Sequence, residues 1–358
     1  RERLLRREWA NPAEFLLAFA AGVDRRDVNA VADRRIAEHH ARRRAEEDGA
    51  PTAGPASSAG LLTKLAEEKA AFGSHVWRQC RLLSKRSAWA LFGAYHLIAA
   101  HAGVAFAVGL MLSELYSAEP LSLPGTLNRA GSLAFLQLFL AFSSLSCLEV
   151  AVAERKLIAL EMEASSYGAF PVVATRWLFD IVPLRIVPTA LVASVIYAPM
   201  GLRVDAGGYF AWYMLVLTLF SAVATLTTYC IGLLCPSLGP AALLSAVVTL
   251  WNFVFGGLLV QPGTIPPLLK PFRAVSPFFL SYEALLVNEL DGQTCTFAPA
   301  DASGRPASEA IPLYCTQYLY NMGLDPAAFA ADVAMLAAWA VGLTLVSWVL
   351  VSRLRFVR

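Results

Sequence analysis

Five histidines and six cysteines are the residues with which chemistry could start. His39 and His40 stand in a charged stretch, His75 precedes the first apolar run, and His96 and His101 lie five apart within it. Side chains five apart do not share a helical face, so the last two do not form a metal pair. They read instead as interhelical hydrogen-bonding or pore-lining groups, and no metal site is expected. The chain has no G-x-x-x-x-G-K-[ST] phosphate loop, no strand followed by G-x-G-x-x-G, no H-E-x-x-H and no C-x-x-C. Covalent catalysis, metal catalysis and nucleotide binding therefore lack a signature. What remains is a set of ionisable groups inside apolar stretches: Glu149, Asp180 and Arg185. Charges at membrane depth are costly, face a bundle interior and take partners. Two readings stand. All three sit at headgroup level, solvated or snorkelling, or they form a polar cluster that ties two helices together near one membrane face.

The elements that must carry these groups follow from composition. Of the 358 residues, 57% are apolar and 16% charged, against about 45–50% and about 25% in soluble domains. Residues 1–86 hold 17 of the 29 Lys and Arg. Beyond them run uncharged windows at 87–113, 130–148, 186–202, 207–260 and 333–352. Crossing a bilayer core takes about 20 apolar residues, so the long window from Gly207 holds two crossings, with Cys235-Pro236-Ser237-Leu238-Gly239-Pro240 as the turn between them. The third window extends back through Trp177 and contains Pro183 and Pro188, which should kink its helix. The fold class expected is an all-α membrane protein of six transmembrane helices, at about 88–113, 130–150, 177–201, 208–234, 238–260 and 332–352. There is no dyad alternation to suggest a barrel.

Lys and Arg near the span ends set the orientation. With the N-terminus inside, ten lie at cytoplasmic ends (Arg78, Arg81, Lys85, Arg86, Arg155, Lys156, Arg176, Arg353, Arg355, Arg358) and five outside (Arg129, Arg203, Lys270, Arg273, Arg305). Both termini are thus expected in the cytoplasm, with Arg203 in outer water. Residues 26–75 read as a charged, flexible linker, rich in Arg alternating with Asp and Glu and then in Gly, Ala, Pro and Ser. The net charge of +2 gives no support for nucleic-acid binding. Glu154–Phe170 is an amphipathic stretch suited to lying on lipid or docking a soluble partner, and 261–331 is a large outer loop whose Pro-rich start suits short re-entrant helices. The chain opens on Arg1-Glu2-Arg3 with no signal-peptide core and no initiating Met, which suggests a fragment of something longer.

Three ordered segments carry a resemblance. They are Phe142-Ser143-Ser144-Leu145-Ser146 with Glu149 and Glu154-Arg155-Lys156; Asp180-Ile181-Val182-Pro183-Leu184-Arg185-Ile186-Val187-Pro188; and Phe255-Gly256-Gly257-Leu258-Leu259-Val260 with Ile265-Pro266-Pro267, Ser276-Pro277 and 283–290. Together they resemble the transmembrane half of the G-subfamily ABC half-transporters, the white–brown complex type with an ABC-2 type membrane domain. Asn11-Pro12-Ala13-Glu14-Phe15 is similar to the end of that family's nucleotide-binding domain, so residues 1–25 would be its C-terminal remnant and 76–358 the six-helix domain.

The resemblance implies an ATP-driven exporter that moves amphipathic, lipid-like or xenobiotic small molecules by alternating access. Two half-transporters, identical or not, would pair in the bilayer around a central cavity. ATP and Mg would belong to the nucleotide-binding domain, so this chain alone is expected neither to bind nor to hydrolyse ATP. Phe142 matches a position where an aromatic ring meets substrate, Thr249 and Phe253 would line the cavity, Leu258 and Leu259 match an apolar plug above it, and Glu154–Phe170 would be the coupling helix. For each the plain alternative is a residue facing lipid or a neighbouring helix. Topology leaves only Cys295 and Cys315 on the oxidising side, and both match a loop pair in the resembled family; a disulfide between them is expected. The rival reading is an ion-coupled or passive carrier, which would call for more buried acid or His relays.

Overall fold

The computed structural model describes residues 76–117, 121–163, 167–204, 208–260, 265–297 and 311–354, all within the unit His75–Arg358. The expected remnant 1–25 and linker 26–75, with residues 298–310 between the two strands below, lie outside the described residues.

The first helix, α1 (Val76–Gly93), is amphipathic, with Trp77, Trp89 and Phe92 exposed. A break at Ala94 separates it from α2 (Tyr95–Leu115). Ser122 caps α3 (Leu123–Ser143) by accepting from the Gly125 N–H, with Pro124 in the first turn. A short offset at Ser144-Leu145 leads into α4 (Ser146–Glu163). Next come α5 (Ala169–Arg176), a π-helical stretch Trp177–Ile186 and α6 (Val187–Tyr197), which run on as one apolar rod. The wider π turn absorbs Pro183, which has no N–H to give, so the expected kink takes the form of a π segment. After α7 (Tyr209–Leu234) and α8 (Leu238–Val254) the chain folds into α9 (Lys270–Val275) and α10 (Pro277–Leu290). A hairpin of β1 (Thr294–Phe297) and β2 (Ile311–Tyr314), then α11 (Cys315–Asn321) and a single 3-10 turn, lead to α12 (Phe329–Arg353).

Among the described residues five stretches are long and apolar enough to cross a membrane: Tyr95–Leu115, Pro124–Met162, Ala169–Tyr197, Tyr209–Leu234 and Pro326–Arg353. The span expected at 238–260 is helical only to Val254, so its 17 residues reach about 26 Å, short of a core about 30 Å thick. Gly257, at φ +96°, turns the backbone where a side chain would be strained. The segment Glu154–Phe170, expected as one amphipathic helix, is divided: Glu154–Glu163 completes α4, and Ala169 opens α5.

The centre of the bundle is α7, which packs against α3, α4, α6, α8, α10, α12 and the π segment, with Val216, Leu217, Phe220 and Tyr229 fully enclosed. Every residue from Phe278 to Leu290 is buried, so α10 is a core element whose polar side chains must find partners inside. The Cys295–Cys315 disulfide, Cα–Cα 5.1 Å, joins the hairpin to the start of α11.

Candidate functional site

A cavity of about 270 Å³ opens between α2, α3 and α6, walled by Val104, Phe139, Phe142, Leu184 and Pro188. Its polar end is a hydrogen-bonded set. Arg185, 4% exposed, donates through Nη1 to the Ser143 carbonyl (2.6 Å) and through Nη2 to Ser146 Oγ (2.7 Å). His101 Nε2 meets the same Ser146 hydroxyl at 2.9 Å, and its Nδ1 lies 2.9 Å from the Leu97 carbonyl. The helix offset after Ser143 positions these groups, because it turns both the Ser143 carbonyl and the Ser146 hydroxyl toward the π segment. An apolar chamber with one cationic corner suits a molecule that is largely apolar with a polar end.

The three ionisable groups singled out from sequence do not meet. Asp180 is held by Arg176 (3.3 Å), with the Cys147 thiol 3.5 Å away, and Arg176 bridges onward to Glu154 (2.6 Å). Glu149 is exposed, because the inward face of α4 is given by Cys147, Leu148 and Ala151. The cluster expected as Glu149–Asp180–Arg185 is thus replaced by Glu154–Arg176–Asp180, and Arg185 bonds to serines instead. Arg203, expected in water, is also committed: its N–H donates to Glu289 Oε2 (3.0 Å), its Nη1 to the Asp291 carbonyl (2.7 Å), and its guanidinium covers the Tyr209 ring at 3.8 Å.

Phe142 is 40% exposed at the cavity rim, whereas Thr249 lines a separate recess of about 40 Å³ with Thr227, Thr228, Ser245 and Asn252. Phe253 packs edge-on against Phe278, ring centroids 5.7 Å apart. Ala141 faces the recess and Phe142 the larger cavity, so adjacent residues of α3 divide the expected lining between two flanks. Leu258 and Leu259 lie past the end of α8, both exposed. Their segment is seated through Gly257, where an added Cβ would come within 3.2 Å of Tyr282 and 3.3 Å of Phe279.

Sequence reading missed the buried ion pair Arg129–Glu289, which joins α3 to α10. Burial pushes the Glu289 carboxyl up, against the Arg203 N–H and the Arg129 charge that pull it down. Arg129 was assigned to an outer connection because it precedes the uncharged window. The available signal was two Glu, Glu283 and Glu289, in a largely apolar fourteen-residue helix, charges that need partners. Also missed was Arg86 Nη1 on Glu161 (2.9 Å), with the Tyr167 hydroxyl on the same carboxylate, which fastens α1 to the end of α4. Among the described residues no group of three or more His, Cys, Asp or Glu could hold a metal ion.

The sequence profile of the ABC-2 type transporter family matches residues 78–290, more than half of the chain. The chain belongs to that family. It is similar to the broad substrate specificity ATP-binding cassette transporter ABCG2 of Mus musculus, 30% identical over 252 residues, covering 69% of this chain and 38% of the relative. It is also similar to ABC transporter G family member 24 of Dictyostelium discoideum, 28% identical over 247 residues, 68% of this chain and 20% of the relative. The ABC multidrug transporter atrF of Aspergillus flavus is 26% identical over 250 residues, 66% and 16% respectively. The chain spans well under half the length of these relatives. The matched residues take in the chamber and the segment seated through Gly257.

Proposed function

We propose that this chain is the membrane domain of an ATP-driven exporter that carries amphipathic, lipid-like or xenobiotic small molecules out of the cytoplasm. Both termini lie in the cytoplasm, and a second half-transporter, the same chain or a different one, completes the path. The observation that carries this reading is the chamber of about 270 Å³ beside Phe142, apolar along its walls and cationic at one corner, in a chain of the ABC-2 type. A flat apolar body stacks on Phe142 while its polar end meets the Arg185–Ser146–His101 set. Thr249 lines the same path only once a partner closes it, since within one chain it faces another flank, and Phe253 packs on Phe278 one turn further on. Leu258 and Leu259, which follow the Gly257 seated on Tyr282 and Phe279, form the outer constriction. ATP and Mg²⁺ would be held by an ATP-binding domain of the kind the relatives' names record; residues 1–358 carry no phosphate loop of their own. That domain supplies the energy, and the groups described here bind and orient the cargo.

Replacing Phe142 by Ala in the full-length protein tests this. Export of flat aromatic dyes from cells should fall several-fold, because an aromatic contact is worth about 1 kcal/mol or more, with surface delivery near normal. Unchanged export of several such dyes would sink the assignment.

A further inference from the structure

Glu283 in α10 and Asp332 in the first turn of α12 are 4% and 5% exposed, and their side chains lie within hydrogen-bonding reach of one another. Glu283 Oε1 already accepts from the Asp325 N–H at 2.7 Å, and Asp325 Oδ1 accepts from Ala327 N–H at 3.0 Å. Asp332 Oδ2 is buried with no hydrogen-bond partner among the described residues. The charged groups that face the pair are Arg273 from α9 and Asp325 from the turn ahead of α12. Arg273 is committed elsewhere: its Nη2 donates to the Gly323 carbonyl (2.7 Å), and its guanidinium lies 4.0 Å over the Phe279 ring. Asp325 is exposed, so Glu283 and Asp332, both ionised beside the one guanidinium, would leave one uncompensated negative charge in a buried site. Two carboxylates within hydrogen-bonding reach are both acceptors, so the contact between them requires an O–H from one.

We propose that Glu283 and Asp332 form a proton-binding site in which one shared proton fastens α10 to α12. Burial pushes the Glu283 carboxyl above the ordinary carboxylate range, outweighing the Asp325 N–H and the Arg273 charge that pull it down. An acid raised in this way stabilises the fold fully below its unfolded value, and that contribution is lost as pH rises through the folded value. The fastening therefore holds in acid and loosens toward alkaline pH. Phe279 and Tyr282 of the same helix seat Gly257, so releasing α10 frees the segment that carries Leu258 and Leu259. That last link rests on the reading of those two leucines as the outer constriction.

Infrared difference spectroscopy of the full-length protein in lipid nanodiscs tests the site. A pH jump from acid to alkaline should remove a protonated-carboxyl carbonyl band amounting to about one proton per chain. The band should be absent from Asp332→Asn and reduced in Glu283→Gln, both near-isosteric. A spectrum of either variant identical to that of the wild type overturns the proposal. The wild type alone gives a second readout: hydrogen exchange across Pro277–Leu290, corrected for intrinsic pH dependence, should accelerate as the band is lost, and unchanged protection overturns the fastening. Neither readout needs transport. Labelling of Leu259→Cys by a membrane-impermeant thiol reagent should quicken over the same pH interval, and labelling that ignores pH while the band is present removes the link to the constriction and leaves the proton site standing.

Discussion

Arg129 and Glu289 show what a charge in this membrane domain is for. They are buried together between α3 and α10, and Glu289 also accepts the Arg203 N–H. Removing one partner of such a pair strands the other, at about 3–5 kcal/mol. Arg129→Ala should therefore lower the thermal unfolding midpoint of the protein far more than Lys156→Ala, whose side chain is exposed. Equal midpoints would mean that Glu289 is satisfied without Arg129. At this scale the sequence was a partial guide. It singles out Asp180 and Arg185 as charges in apolar runs and leaves headgroup and clustered placements open; both are buried. It could not choose their partners, because pairing depends on which face of α4 turns inward and on the wider π spacing of the stretch that carries them. Glu154, five residues beyond the favoured Glu149, faces Arg176 for that reason.

Close helix contact depends on small residues, and α7 meets α4 at Gly232, where an added Cβ would lie 2.8 Å from the Cβ of Ala151. Gly232→Ala should destabilise by about 1–3 kcal/mol through overpacking, and adding Ala151→Gly should recover most of it. Thermal unfolding of the single and double variants measures this; no recovery would place the strain elsewhere. The helices themselves were legible, since about 20 uncharged apolar residues can do little else in a bilayer. Their ends were less so. Charge puts Arg129 outside the second span, yet it lies inside α3, because Glu289 across the bundle neutralises it. The early end of α8 comes from a glycine-mediated turn, which an apolar count reads as more span.

For the molecule as a whole, the hairpin β1–β2 and α11 are tied by Cys295–Cys315, while Cys80, Cys147, Cys230 and Cys235 are free thiols. The bridge closes a separation of 20 residues, worth about 3 kcal/mol on chain-entropy grounds. Mass spectrometry of non-reduced peptides should recover Cys295 and Cys315 linked, and the Cys295→Ser variant should unfold several degrees lower; alkylatable thiols at both positions in protein taken from the cell surface would refute the bridge. The family was legible from ordered local motifs, whereas the path was not. Phe142 and Thr249 sit on different flanks of one chain, and the route proposed between two chains is not encoded in the spacing of either. Energy source decides between an ABC exporter and an ion-coupled carrier. The direct measurement is uptake of a flat aromatic dye into inside-out proteoliposomes holding the full-length protein. Accumulation that requires hydrolysable ATP and persists after proton and sodium gradients are collapsed is the expected result. Accumulation without ATP that follows an imposed ion gradient would contradict it.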